Sequence, residues 1–114
     1  GFKLMLVYVD PDVTNDEIKN HMKDYSLSDY TAIADKTHVL VSQTGATVTP
    51  EAVVILPDGA IAYRGRIDNM YPALGQRRSV ITKKDLRNAL NSISENQTIQ
   101  MPRTRAVGCY IPNI

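Results

Sequence analysis

The residue with the most reactive side chain in this sequence is Cys109, its only cysteine. A thiolate attacks disulfides and sulfenates, but a single thiol cannot form an intramolecular disulfide or a CxxC redox pair. Redox chemistry would therefore need a second thiol from another segment or another chain. Two interpretations of Cys109 stay open, a resolving or partner thiol and a small apolar side chain in a C-terminal tail. Arg103 and Arg105 would favour its thiolate only if they lay close to it.

The histidines and carboxylates form no pattern typical of a metal site. His21 and His38 are far apart in the sequence, and a copper site beside His38 would also need paired cysteines. The acidic residues between positions 10 and 17 are explained by a turn and by helix capping, which leaves no need for a bound hard cation. We therefore predict no metal and no other cofactor.

Thr49 and Pro50 stand directly before the clearest structural motif of the sequence. Two β-rich runs, residues 52–56 and 60–64, flank Pro57-Asp-Gly59, and this arrangement predicts a β-hairpin. An X-Pro bond can be cis, in which case it shapes a specific loop, or trans, in which case the proline simply begins a strand. The sequence pattern leaves both alternatives open.

The segments before the hairpin predict a strand, a helix and a further short strand, and one ambiguous stretch allows a second, short helix. The apolar run Lys3–Val9 predicts a strand buried on both faces. Thr14 and Glu17 form a capping box that begins a helix, whose apolar stripe is Ile18, Met22 and Tyr25. Residues 30–34 predict a short edge strand, and residues 36–44 allow a short helix that Gly45 ends.

The segments after the hairpin predict an irregular region, a helix and a tail. Arg64, Arg66 and Asp68 are candidates for a charge network at the end of the hairpin. Thr82 and Asp85 form a second capping box, which begins a helix with the stripe Leu86, Ala89, Leu90 and Ile93. Residues 98–114 predict an extended tail. The order of elements predicts an α/β fold, a mixed sheet flanked by helices.

Composition and charge exclude several classes of partner. The net charge is +1, and the run Leu4–Val9 is far shorter than the roughly 18 apolar residues of a membrane span, so we predict no membrane partner. This run also lacks the basic region and the cleavage site of a signal peptide, and a cytoplasmic or an exported location remains open. The basic residues between positions 77 and 87 have no interleaved aromatic side chains for base stacking, so we predict no nucleic-acid partner.

The hairpin segment resembles a known family. The segments Gly45–Gly59 and Tyr63–Asp68 resemble the AhpC/TSA-type redoxin domains of bacteria, which often pass under the label thiol-disulfide isomerase. The match extends through Thr82–Leu90, and Thr104–Ile111 resembles the Gly-Cys tail of the same subgroup. The resemblance implies a thioredoxin-like fold related to thiol-disulfide oxidoreductases and thiol peroxidases. In such a fold the loop at Thr49 and Pro50, with a characteristically cis proline, holds the substrate.

The sequence departs from the family at its N-terminal end. A complete member would begin with a further strand and a helix that presents the reactive cysteine, and this chain begins at what would be the next strand. We therefore expect a partial thioredoxin-like domain over residues 1–97 and the tail over 98–114, inactive alone. The partner would be a thiol or disulfide protein or a peroxide in the complete domain. The alternative is a non-catalytic binding or assembly module, and the exposed edge of the first strand predicts a homodimer by strand pairing.

Overall fold

The computed structural model describes residues 2–71, 73 and 75–113 and has an α/β architecture. Two compact units divide the described residues, 2–45 with 112–113 and 46–111. None of the helices among the described residues is long and apolar enough to cross a membrane. The elements in chain order are β1 Met5–Tyr8, α1 Asn15–Asp24, β2 Thr31–Ala34, α2 Val39–Thr44, β3 Val48–Thr49, β4 Ala52–Ile55, β5 Ile61–Gly65, α3 Asp85–Ser94 and β6 Cys109–Tyr110.

The described strands pair as three two-stranded sheets, β1–β2, β3–β6 and β4–β5. The first pair is parallel and the other two are antiparallel, so both kinds of pairing that the predicted mixed sheet needs are present. No ladder among the described strands joins the three pairs into one sheet.

The first unit is built on the parallel pair and α1. β1 and β2 run in register from Met5 opposite Thr31 to Tyr8 opposite Ala34. Leu6 and Tyr8, on one face of β1, pack against a core that includes Ile18 and Met22 of α1. The predictions of a first strand, a helix and a short second strand are confirmed.

The prediction that β1 is buried on both faces is wrong. Its side chains alternate between exposed and half-buried, and Met5 and Val7 remain 44% and 40% exposed. The apolar run has a physical explanation on one face only, since Leu6 and Tyr8 alone pack on the α1 core. The other face of β1 is an apolar surface in contact with solvent.

The ends of α1 and α2 follow from local chemistry. Thr14 Oγ1 accepts a hydrogen bond from Glu17 N at 3.1 Å, and Glu17 Oε1 accepts one from Thr14 N at 3.1 Å, so the predicted capping box is confirmed. Tyr25 does not extend the apolar stripe, because it caps the C-terminus of α1 and is 67% exposed. Gly45 ends α2 in the left-handed conformation, as predicted.

The second unit is built on the hairpin and α3. β4 and β5 pair antiparallel around the Pro57-Asp-Gly59 turn, which confirms the hairpin. Tyr63 is fully buried between Val54 of β4 and Ala89 of α3 in one core. The other stripe residues of α3, Leu86, Leu90 and Ile93, pack on this core as predicted.

The predicted second capping box is wrong, because both of its side chains bind distant partners. α3 begins at Asp85, with Lys84 as its N-cap and no side-chain cap bond. Thr82 Oγ1 accepts a hydrogen bond from Asn69 Nδ2 at 2.7 Å, and the Asp85 carboxylate pairs with Arg66. Tertiary contacts have replaced the local bonds that the sequence pattern suggests.

Candidate functional site

The Thr49–Pro50 loop connects β3 to the hairpin, and its peptide bond is cis. The Glu51 carboxylate forms hydrogen bonds to the backbone on the other side of this peptide bond. Its Oε1 accepts hydrogen bonds from Thr47 N at 2.9 Å and from Val48 N at 3.4 Å. The loop is therefore closed on itself by one carboxylate that binds two successive backbone donors.

The C-terminal strand β6 lies along this loop. β3 and β6 pair antiparallel, with Val48 opposite Tyr110 and Thr49 opposite Cys109. The pairing continues one residue further, because Ile111 N donates to Thr47 O at 2.8 Å. The only cysteine of the sequence thus lies directly across from Thr49. Sequence reasoning named Thr49, Pro50 and Cys109 separately, and the structure brings them together.

Gly108 explains how the tail approaches the loop so closely. A Cβ atom placed at Gly108 would overlap the Thr49 carbonyl oxygen and would lie 2.6 Å from the carbonyl carbon of Thr49 and 3.1 Å from Pro50 N. Real Cβ atoms do not approach backbone atoms so closely, so any larger residue would displace the tail. The side chains of Cys109 and Tyr110 are exposed.

A second part of the tail is fixed to β5 by backbone pairing. Arg64 N donates to Pro102 O at 3.0 Å, and Thr104 N donates to Arg64 O at 3.2 Å. The guanidinium of Arg103 donates to Pro102 O at 2.9 Å. Residues 102–104 are therefore held on the hairpin, a position that the prediction of an extended tail did not include.

A closed set of three hydrogen bonds, which we call the hydroxyl ring, connects Tyr63, Arg66 and Thr104. Tyr63 Oη donates to Arg66 O at 2.6 Å, and Arg66 N donates to Thr104 Oγ1 at 2.9 Å. Tyr63 Oη and Thr104 Oγ1 are 2.6 Å apart. Because the tyrosine has one hydroxyl proton and gives it to Arg66, Thr104 must donate to Tyr63.

Burial raises the pKa of the Tyr63 hydroxyl, and the hydrogen bond from Thr104 opposes that rise only in part. Gly65, between Tyr63 and Arg66, has no room for a side chain, since a Cβ there would overlap Thr104 Oγ1. No local pattern indicates the hydroxyl ring, because Thr104 lies 41 residues from Tyr63 in the sequence. Sequence reasoning missed it for that reason.

The Arg66 side chain, at the end of the hairpin, pairs with a residue outside the predicted charge network. Arg66 Nε binds Asp85 Oδ2 at 2.6 Å, and the side chain of Asp85 is only 5% exposed. Asp68 does not join this pair, because its Oδ1 accepts from Met70 N at 2.9 Å within its own loop. Arg66 thus pairs outside the predicted set of Arg64, Arg66 and Asp68, and the ion pair ties the end of the hairpin to the start of α3.

The two histidines lie in the first unit and bind protein atoms. His21 Nδ1 is 2.7 Å from Tyr8 Oη, and His38 Nε2 is 2.6 Å from Val9 O. His38 is buried, and Asp35 beside it accepts from Val41 N at 3.0 Å. Among the described residues, no group of three histidine, cysteine or acidic side chains has the geometry of a metal site.

Two solved structures are similar to this chain over almost its whole length. A hypothetical protein from Sinorhizobium meliloti 1021 aligns with a TM-score of 0.77 and 20% identity, over 98% of this chain and 62% of its own. An uncharacterized conserved protein from Geobacillus kaustophilus aligns with a TM-score of 0.75 and 20% identity, over 96% of this chain and 58% of its own. At this identity the likeness concerns the fold. No protein-family profile and no curated protein matches the chain.

Proposed function

We propose that this chain is the peptide-holding part of a thioredoxin-fold redoxin related to thiol-disulfide oxidoreductases and thiol peroxidases. The observation that carries the proposal is the pairing of Thr49 with Cys109, since a cysteine-bearing strand lies along the loop that such a protein would use for its substrate. The resemblance of residues 45–68 and 104–111 to AhpC/TSA-type redoxins supports the same assignment. The reactive cysteine would come from a segment outside these 114 residues or from another chain.

The Thr49–Pro50 loop would bind an extended segment through its main chain. Strand addition of this kind takes its affinity from backbone hydrogen bonds and is tolerant of side-chain identity. The Glu51 carboxylate would keep the loop in shape, because it fixes the two amides that precede Thr49. A cysteine in the bound segment would then lie opposite Thr49, in the position that Cys109 has in this structure.

Cys109 would act as a resolving or partner thiol. Its thiolate would attack one sulfur of a disulfide, forming a new S–S bond, and the other sulfur would leave as a thiolate. With a sulfenic acid on a partner, the Cys109 thiol would form a disulfide and release water. Cys109 is exposed, so a partner sulfur has access to it.

The test compares this 114-residue chain with the product of the complete reading frame. Both are assayed for insulin reduction with dithiothreitol and for peroxide consumption. We expect no turnover above the dithiothreitol background from the 114-residue chain, and turnover when a cysteine-bearing strand and helix accompany it. Cys109→Ser in the complete product should lower the rate if Cys109 resolves the oxidised partner. Turnover by the 114-residue chain alone would refute the assignment.

A second candidate, an assembly module that pairs through β1, is favoured by a different observation. Four apolar side chains on or before β1 are between 40% and 51% exposed: Phe2, Leu4, Met5 and Val7. An exposed apolar strand is a template for pairing with another chain. We expect a homodimer by light scattering that Val7→Lys dissociates, while Val80→Lys, at another exposed position, leaves it intact. A wild-type monomer at high concentration would exclude this candidate.

A further inference from the structure

The C-terminal strand β6 occupies an edge of β3, and both of its side chains are exposed. We propose that β6 is a removable strap: it occupies the site of an extended, cysteine-containing peptide of a partner protein, which binds only after the strap has opened. The inference rests on the proposed function, because it takes the Thr49–Pro50 loop as the peptide site. It adds the step that controls access to that site.

The strap pairs with the backbone of the loop from Thr47 to Thr49. Thr49 and Val48 are in register with Cys109 and Tyr110, and Thr47 O accepts from Ile111 N at 2.8 Å. An incoming strand needs the same backbone groups, and each can pair with only one neighbour on that side. Peptide and strap therefore compete for one edge.

The two attachments of the tail differ greatly in burial. Thr104 is fixed by the hydroxyl ring around the fully buried Tyr63. Cys109 and Tyr110, in contrast, are exposed, and Tyr110 is 80% exposed, so β6 is held mainly by its backbone pairing. Segments with exposed hydrogen bonds and few apolar contacts open locally at low cost. The strap residues Cys109 and Tyr110 can thus open at lower cost than the attachment at Thr104.

The residues of the strap indicate which kind of partner segment would bind at the same site. The strap is an extended Gly-Cys-Tyr segment with its cysteine opposite Thr49 and with a glycine where the backbone approaches the loop. A partner segment that satisfies the same constraints is an extended strand with a small residue before its cysteine. The partner is therefore a cysteine-containing polypeptide segment bound through its main chain.

The first experiment opens the strap with Gly108→Ala. Gly108 does not have the positive φ that favours glycine, so the obstacle to alanine is steric, from the Thr49 carbonyl group and Pro50 N. The matched control is Tyr110→Ala, which removes an exposed side chain and keeps the backbone pairing. The probe is a fluorescent peptide with the sequence of residues 106–112 and S-methylcysteine in place of cysteine. We expect Gly108→Ala to bind it about tenfold more tightly than the wild type, since opening raises the competent fraction, and Tyr110→Ala to match the wild type.

Hydrogen exchange at the Ile111 amide reports the strap itself. Its exchange should be about tenfold faster in Gly108→Ala than in the wild type and unchanged in Tyr110→Ala, because only the first change breaks the bond to Thr47 O. The peptide should also accelerate this exchange in the wild type. If the wild type binds the peptide as tightly as Gly108→Ala and the Ile111 amide is unaffected, the strap is not a competitor and the inference is wrong, although the peptide site stands.

The second experiment closes the strap and does not depend on the folding of Gly108→Ala. Thr49→Cys places a thiol directly opposite Cys109, and the spacing of antiparallel partners, about 4.5–5.5 Å between Cα atoms, suits a disulfide. Glutathione disulfide would oxidise the two thiols and yield two molecules of glutathione. We expect the oxidised variant to lose peptide binding and dithiothreitol to restore it.

The remaining outcomes separate the two proposals. Equal binding by the oxidised and reduced forms of Thr49→Cys would overturn the strap. Absence of binding by every variant, with Ile111 exchange fast in Gly108→Ala, would overturn the peptide site and the proposed function with it. Dimers of the wild type that form by exchange of tails would show that the occupant is a second copy of this chain, and would likewise overturn the strap.

Discussion

Removal of the Tyr63 hydroxyl should destabilise the second unit and leave its packing intact. In Tyr63→Phe the ring keeps its place between Val54 and Ala89, but the hydrogen bond to Arg66 O and the one from Thr104 Oγ1 are lost. A net contribution of about 1 kcal/mol for each bond predicts a loss of about 2 kcal/mol in the free energy of unfolding. At a urea m-value of roughly 2 kcal/mol/M, the unfolding midpoint should fall by about 1 M.

The assay is urea unfolding followed by circular dichroism. The matched control is Tyr110→Phe, which removes the same atom from an 80% exposed side chain and should change stability by less than about 0.5 kcal/mol. Thr104→Val breaks the hydroxyl ring from the other side. Because the two variants remove a shared bond, the double variant should cost less than the two single losses together. Strict additivity would refute the closed ring.

The pH dependence of the same variant follows from the raised pKa of Tyr63. Below about pH 10 the tyrosine is protonated in both the folded and the unfolded chain, and its stabilising effect is fully present. Above that pH the unfolded chain loses the proton while burial keeps it on folded Tyr63, so the stability of the wild type falls as pH rises through the folded pKa. The advantage of the wild type over Tyr63→Phe should therefore shrink above about pH 10. An advantage that stays constant to higher pH would contradict this account.

Two further changes test the contacts around the candidate site. Asp85→Ala should cost about 3 kcal/mol in the free energy of unfolding, because it leaves the Arg66 guanidinium without its buried partner. Asp85→Asn should cost less, because it keeps an acceptor. Equal losses of the two variants in chemical denaturation would argue against this reasoning. Glu51→Ala should lower the free energy of unfolding by about 1 kcal/mol and speed hydrogen exchange at the Thr47 and Val48 amides. Glu51→Gln should keep both hydrogen bonds. Unchanged exchange in Glu51→Ala would show that the carboxylate does not hold the loop.

The first helix and the hairpin were predictable because their determinants are local. The capping bonds of α1 join residues three apart, and the hairpin turn lies within the three residues Pro57-Asp-Gly59. Such signals need no knowledge of the rest of the chain. The same capping rule failed at Thr82, because Asn69 lies within reach of its hydroxyl in the folded chain. A local pattern is reliable only where no distant partner competes for the same side chain.

The candidate site was predictable only as separate residues. Thr49, Pro50 and Cys109 each carried a signal, but their pairing joins positions 60 residues apart through strands of two residues each. A two-residue strand has no periodicity that a sequence could reveal. The hydroxyl ring and the Arg66–Asp85 pair are long-range contacts of the same kind, with one partner in the hairpin and the other well beyond it.

The two glycines of the candidate region link these long-range contacts into one arrangement. Gly65 lets Thr104 approach the hairpin closely enough to complete the hydroxyl ring, and Gly108 lets the tail approach Thr49. Only residues 105–107 lie between Thr104 and Gly108, so the attachment at Thr104 limits where β6 can move. The short connection keeps the strap at a high effective concentration near β3. A two-residue strand with exposed side chains can therefore compete with a free peptide for the same edge.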